Sequence, residues 1–300
     1  MIAVNRLLVV IDPEQDSQLA LDKALKIARF TGAELELLIC DHNSYLEDGY
    51  YFDPPQAMKL RAEHIEKNRQ MLEEMAIVIR AQGFTVSVDA LWGNPPWEKI
   101  ISKVVESKSD MLIQSTRHHE IMARLLLSHQ DWQLIRHCPC PLLLVKDQPW
   151  HRPPVFVTAV DPTHANDKPA ALDHRLLATG KYLADAVDGE LHLFHSYYKP
   201  PVAGIYPIEL DESYFRERAS DLLQTFAIPE QRLHLSATDI QTALPQLMGD
   251  IGGDVVIMGV ISRSRLNRLF IGNTAEKLLD RLSQDVLVVK PEGFSEGSLA

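Results

Sequence analysis

The sequence predicts an α/β protein made of two tandem, doubly wound, five-stranded parallel sheets. Short apolar runs alternate with helix-spaced stretches along the whole chain, the pattern of strands joined by helical crossovers and covered on both faces. The stretch 110–146 aligns without a gap on 254–290 at a constant offset of 144, so Asp110 falls on Asp254 and Lys146 on Lys290. An Asp-Pro pair closes the first strand of each copy, Asp12-Pro13 and Asp161-Pro162. A chain of 300 residues suits two domains. The repeat sets them at 1–147 and 153–291, with 292–300 a small, polar, frayed tail.

The run 6–11 ends on Asp12 and suits a strand buried on both faces. Leu21, Leu25 and Ala28 stripe the first helix, and Gly32 ends it where a left-handed residue is cheapest as glycine. A second strand, 35–40, leads into an aromatic, acidic loop over 45–53, and a long helix then opens at Pro54-Pro55 and runs to about Gln82-Gly83. After a third strand, 84–91, Asn94 is placed as a helix cap with Pro95 in the first turn and Trp97, Ile100, Ile101 and Val104 as the inward stripe. A fourth strand over 111–115, a loop, a helix and a fifth strand over 141–146 complete the first half. A proline-rich connector, 147–154, precedes the second half. There strands over 155–160, 189–194, 233–237, 255–258 and 286–289 alternate with four helices. Leu172, Leu176, Leu183 and Val187 stripe the first of these, and the second, about 211–226, is shorter than its counterpart. Asp239 caps the third, striped by Ile240, Leu244, Leu247 and Ile251, and the last covers 274–282.

The candidate chemistry lies between the fourth strand and last helix of the second half, where Gly259, Ser262, Gly272, Asn273 and Thr274 follow the spacing G-x2-S-x9-G-N-T. This is the carboxyl edge at which open α/β sheets bind ligands. Glycines let a backbone approach an anion, and a helix start offers free N–H groups and the positive end of the dipole. Arg263, Arg265 and Arg268 add positive charge, and Asp161 could accept hydrogen bonds from ribose hydroxyls. Plainer readings stand beside these. Asn273 with Glu276 is a capping-box pattern, the arginines suit a solvated face, and Asp12 and Asp161 suit an Asp-Pro turn.

On Asp161, Gly259, Gly272 and the surrounding strand-and-loop pattern, the chain resembles the universal stress protein family over nearly its whole length. Its doubled domain resembles the tandem, E-type members. The resemblance implies the adenine nucleotide alpha hydrolase-like fold with strand order 3-2-1-4-5. It also implies ATP as a candidate ligand, held by G-x2-G-x9-G-S/T and an aspartate after the first strand. The positions it carries over are Asp161 and the adjoining Val160, with Met258, Gly259, Ser262, Arg263, Gly272, Asn273 and Thr274. It further implies an internal pseudo-dimer through the fifth strands, 142–145 and 286–289, and leaves homo-oligomers open. The sequence departs from the pattern at Ser262, which replaces the middle glycine, and at Asn273, with Thr274 one place late. In the first half the matching positions are Ser115, His118, Ser128 and His129, and only Asp12 survives. Asp131, in the first helical turn after Ser128, would repel a phosphate there. The second half is therefore the better candidate.

Composition excludes other partners. With 30 basic against 41 acidic residues the net charge is −11, which repels nucleic acid and anionic membranes on average. No apolar run approaches the ~18 residues of a membrane span. The N-terminus enters a strand without a secretory cleavage site, so a cytoplasmic protein is expected. The three cysteines include Cys138-Pro139-Cys140, no disulfide framework, and this segment precedes an apolar strand as a helix-to-strand turn would. His192, His195 and His234 lie on neighbouring strands, but residues three apart face opposite sides, leaving at most a pair and no expected metal. Two aromatic loops, one with Tyr45, Tyr50, Tyr51 and Phe52, the other with Tyr197, Tyr198 and Tyr206, could close over a ligand or pack the halves together. The sequence carries no Ser-His-Asp arrangement, complete P-loop or metal cluster. The expectation is a non-enzymatic stress-response protein, with DNA damage as the stress that the resemblance suggests, acting by small-molecule sensing or contact with an unidentified protein partner. The alternatives are an ATP-binding switch or slow ATPase through the second-half loop, and a binder of a small apolar or lipid-like metabolite.

Overall fold

The computed structural model describes residues 3–15, 17–46, 53–116, 127–163, 170–198, 212–260 and 273–292. Two compact units divide them, one holding the first five strands and the other the second five.

In the first half β1 (Arg6–Val10) pairs in parallel with β2 (Glu34–Asp41) on one side and β4 (Met111–Ser115) on the other. β3 (Val86–Trp92) extends the sheet beyond β2, and β5 (Leu142–Val145) beyond β4. The order is therefore 3-2-1-4-5. Leu7, Leu8 and Val9 are fully buried, as a central strand covered on both faces requires. Helix α1 (Leu19–Thr31) ends at Gly32, whose φ of 71° is the left-handed conformation expected there. Helix α2 (Pro54–Arg80) is long, and Asp53 caps it by accepting from the Gln56 N–H at 2.9 Å. Helix α3 (Pro96–Ser107) buries Trp97, Ile100, Ile101 and Val104, but Asn94 does not cap it. Pro95 takes the cap position in an extended conformation and Pro96 opens the helix, because two successive prolines hold the chain extended until the second can serve as a first-turn residue. Helix α4 (His129–His137) leads into β5.

The second half repeats the plan. β6 (Val155–Ala159) lies between β7 (Glu190–Ser196) and β9 (Val255–Gly259), with β8 (Leu233–Ser236) outside β7 and β10 (Asp285–Val289) outside β9. Its helices are α5 (Ala170–Ala186), α6 (Glu212–Thr225), α7 (Ile240–Asp250) and α8 (Asn273–Leu279). Val187 falls just past α5 and is half-buried. Asp239 caps α7 through the Gln241 N–H at 3.2 Å. The stripe on α7 is shifted. Leu244 is buried, but its buried neighbours are Ala243 and Met248, while Ile240, Leu247 and Ile251 are half-buried.

The amino edge of each sheet is pinned the same way. Asp110 accepts the backbone N–H groups of Asn5 at 2.7 Å and Arg6 at 3.0 Å, and Asp254 accepts that of Val155 at 2.8 Å. Asp254 also takes the His151 N–H at 2.8 Å, and the buried Trp150 indole donates to Asp285 at 2.7 Å. The connector is thus held by the second half. Among the described residues no helix is long and apolar enough to cross a membrane.

Candidate functional site

At the carboxyl edge of the second sheet, β6 and β9 are neighbours, which brings Val160 and Asp161 to the edge beside Met258 and Gly259. Val160, Asp161 and Met258 are buried, and Gly259 is half-buried. The Asp161 carboxylate accepts the Thr163 hydroxyl at 3.0 Å, and its backbone N–H donates to the buried Asp173 at 3.1 Å. His195, buried at the end of β7, lies with Nδ1 3.0 Å from the Val160 carbonyl, which assigns the hydrogen to Nδ1. Asp173 and His195 were not legible as neighbours of Asp161, because nothing in the sequence fixes the rotation of α5 or the strand ends against each other. Gly259 has a packing role. A Cβ there would stand 2.8 Å from Leu172 Cδ2 and 3.3 Å from Leu172 Cγ on α5, so a side chain at this position has to displace Leu172. Asn273 opens α8, so the helix starts one residue before the expected 274. Ser262, Arg263 and Gly272, with Arg265 and Arg268, lie outside the described residues, as do the side chains of Asn273 and Thr274.

The first half arranges the same edge differently. Asp12 is half-buried and turns the chain locally: its carboxylate accepts the Glu14 N–H at 3.1 Å, and its carbonyl accepts the Gln18 side-chain amide at 2.8 Å. At the end of β4, buried Gln114 donates to Asp131 at 2.9 Å and accepts from Gln130 at 3.2 Å. Asp131 is wholly buried in the first turn of α4, where the helix dipole favours a carboxylate. Ser115 and Ser128 are half-buried, and His129 is exposed with Nε2 3.3 Å from the Gln133 amide. His118 lies outside the described residues. Gln114 and Asp131 are the residues that sequence reasoning left unpaired; the one signal was a glutamine in the otherwise apolar run of β4.

The histidines form one pair. His192 Nδ1 is 2.9 Å from His234 Nε2, with ring planes 9° apart, while His195 faces Phe215 on α6. Glu190 lies 3.5 Å from His192 Nε2 and pairs with Arg232 at 3.1 Å. Burial pushes both pKa values down; the Glu190 hydrogen bond opposes this at His192, and the His192 charge adds to it at His234. Among the described residues no three His, Cys, Asp or Glu side chains gather as metal ligands would. Of the loop aromatics, Tyr197 stacks on Phe215 at 4.8 Å, which gives it a packing role, while Tyr45 and Tyr198 are exposed. Tyr50, Tyr51, Phe52 and Tyr206 lie outside the described residues.

Comparison with known proteins agrees with this architecture. The model of the universal stress protein family matches twice, over residues 3–146 and 158–290. Universal stress protein E of Photorhabdus laumondii is 30% identical over 97% of this chain and 96% of its own. Universal stress protein E of Escherichia coli K12 is 28% identical over 98% and 96%. A solved structure titled as a universal stress protein from Pseudomonas aeruginosa UCBPP-PA14 superposes with a TM-score of 0.76 at 26% identity, covering 97% of this chain and 94% of that one. One from Archaeoglobus fulgidus, at 17% identity and a TM-score of 0.68, shares the fold. Two family matches in sequence, each on a parallel sheet of order 3-2-1-4-5, make this chain a tandem member of the universal stress protein family, with its adenine nucleotide alpha hydrolase-like fold.

Proposed function

We propose that this is a cytoplasmic stress-response protein that acts by holding a ligand, without turning it over, and that the ligand is an adenine nucleotide taken by the second half alone. The observation that supports this is the asymmetry of the two sheet edges. In the first half the buried Asp131 and its Gln114 partner stand where phosphates would, and the Asp131 carboxylate does not fit a nucleotide. In the second half the matching residues are Ala275 and Met258, and the acidic residue of that first turn, Glu276, stands one position further on. Asp161 would accept the ribose hydroxyls, and Val160 and Met258 offer apolar surface to the base. Ser262, Arg263, Gly272 and the backbone at Asn273 and Thr274 would meet the phosphates, by the chemistry of their sequence pattern.

Isothermal titration with magnesium ATP tests this. One nucleotide should bind per chain, and Asp161→Asn should weaken it roughly tenfold, the worth of about 1.4 kcal/mol from hydrogen bonds to a charged group. Asp12→Asn should leave binding unchanged, and ADP should not accumulate above the uncatalysed rate. Two sites per chain, no binding, or sensitivity to Asp12→Asn would overturn the reading, and steady ADP release would replace holding with turnover.

A further inference from the structure

Cys138 and Cys140 join α4 to β5 and face each other with their sulfurs 3.6 Å apart. Each is held from a different side. The Cys138 N–H donates to Leu134 at 2.9 Å, fixing it to the end of α4, and the Leu112 N–H donates to the Pro141 carbonyl at 2.9 Å, fixing the residue after Cys140 to β4. Cys138 is buried and Cys140 half-buried, so an oxidant reaches Cys140 first. A disulfide is about 2.05 Å long, so the sulfurs need approach by only roughly 1.5 Å. The third cysteine, Cys40 on β2, donates to the Pro96 carbonyl at 3.4 Å, and burial pushes its thiol up to about 12.

We propose that Cys138 and Cys140 are a dithiol modification site, oxidised by a hydroperoxide to an intramolecular disulfide. The Cys140 thiolate attacks the peroxide, breaking its O–O bond to give a sulfenic acid and release hydroxide or alkoxide. The Cys138 sulfur then displaces the sulfenic hydroxyl as water, its thiol proton leaving with it. Two thiols lose two electrons, and one peroxide gains them. The hydrogen bond with Cys138 and burial hold the Cys140 thiol well above its ordinary range, so oxidation is slow at neutral pH and speeds up as pH rises. The site lies at the amino edge of the sheet, and its oxidation does not depend on the nucleotide reading.

The test is peroxide treatment of the full-length reduced protein at pH 7.5 and 9, followed by thiol titration in denaturant and tryptic mass mapping. Cleavage after Arg136 and Lys146 puts both cysteines on one peptide, 137–146. That peptide should lose about 2 Da, recoverable with dithiothreitol, and faster at pH 9. Titratable thiols should fall from the three of the sequence to Cys40 alone. Cys140→Ser should abolish the loss, and Cys40→Ser should leave it intact. Retention of all thiols in excess peroxide at pH 9, oxygen addition to the peptide without the 2 Da loss, or covalent dimers would each overturn the proposal.

Discussion

At two matching pairs of positions the halves of this protein meet one packing problem with different chemistry. Where β4 ends against the first turn of α4, Gln114 donates to a wholly buried Asp131. At the equivalent positions of β9 and α8 stand Met258, buried, and Ala275, half-buried. A helix N-terminus attracts an anion either way. The first half places a side-chain carboxylate there. The second half leaves the same position free of charge, which is why a ligand reading is proposed for it alone.

The largest expected effect breaks the internal pair. Asp131→Ala removes a charged acceptor from a dry site and strands the Gln114 amide, which should cost about 2–3 kcal/mol in denaturant unfolding. Gln114→Met with Asp131→Ala copies the second half, so the double variant should recover about 1–2 kcal/mol relative to the sum of the singles. Additive costs would show that the two residues act independently, and the contrast between the halves would lose its basis.

A smaller effect separates packing from binding at Gly259. A side chain at this position meets Leu172, so Gly259→Val should cost about 1–2 kcal/mol of stability in the absence of any nucleotide. Unchanged unfolding together with lost ATP binding would instead assign the glycine to ligand approach. Its counterpart in the first half is Ser115, which carries a Cβ.

Much of this was legible in the sequence. The gap-free repeat, the apolar runs and the two Asp-Pro pairs place all ten strands within a few residues, because a strand buried on both faces leaves an unbroken apolar signature. The cap of α3 was misplaced because Asn94 is a better cap by residue type, whereas the double proline decides the backbone. The α7 stripe was rotated: Pro245 lies inside that helix, and burial follows Ala243, Leu244 and Met248. The Gln114–Asp131 bond joins residues 17 apart in the chain, and no periodicity reports a contact of that kind.

The smallest expected effect sets the halves against each other in pH. Glu36 pairs with Leu8 in the register where His192 pairs with Val157, and Asp89 faces Leu38 where His234 faces Phe194, so the two clusters occupy equivalent places. In the first half Lys103 bridges Glu36 at 2.9 Å and Asp89 at 2.8 Å. Burial lowers the Lys103 pKa, but hydrogen bonds to Asp89 and Glu36 raise it further, so the net shift is upward. Its contribution is complete below the ordinary lysine value near pH 10.4 and is lost as pH rises through the raised folded value. The paired imidazoles behave in the opposite sense. Their folded pKa values are lowered, so the unfolded chain takes up protons first as pH falls. The stability of the neutral pair is complete above about pH 6.5 and declines toward the lowered folded values. Peptide-resolved hydrogen exchange should therefore show β7 and β8 loosening between pH 7 and 5 while β2 and β3 hold, with the order reversed above pH 10. The double variant His192→Gln with His234→Gln keeps hydrogen-bonding groups but cannot charge, so it should flatten the acid arm alone. An acid arm that persists in that variant would place the titrating group elsewhere in the second half.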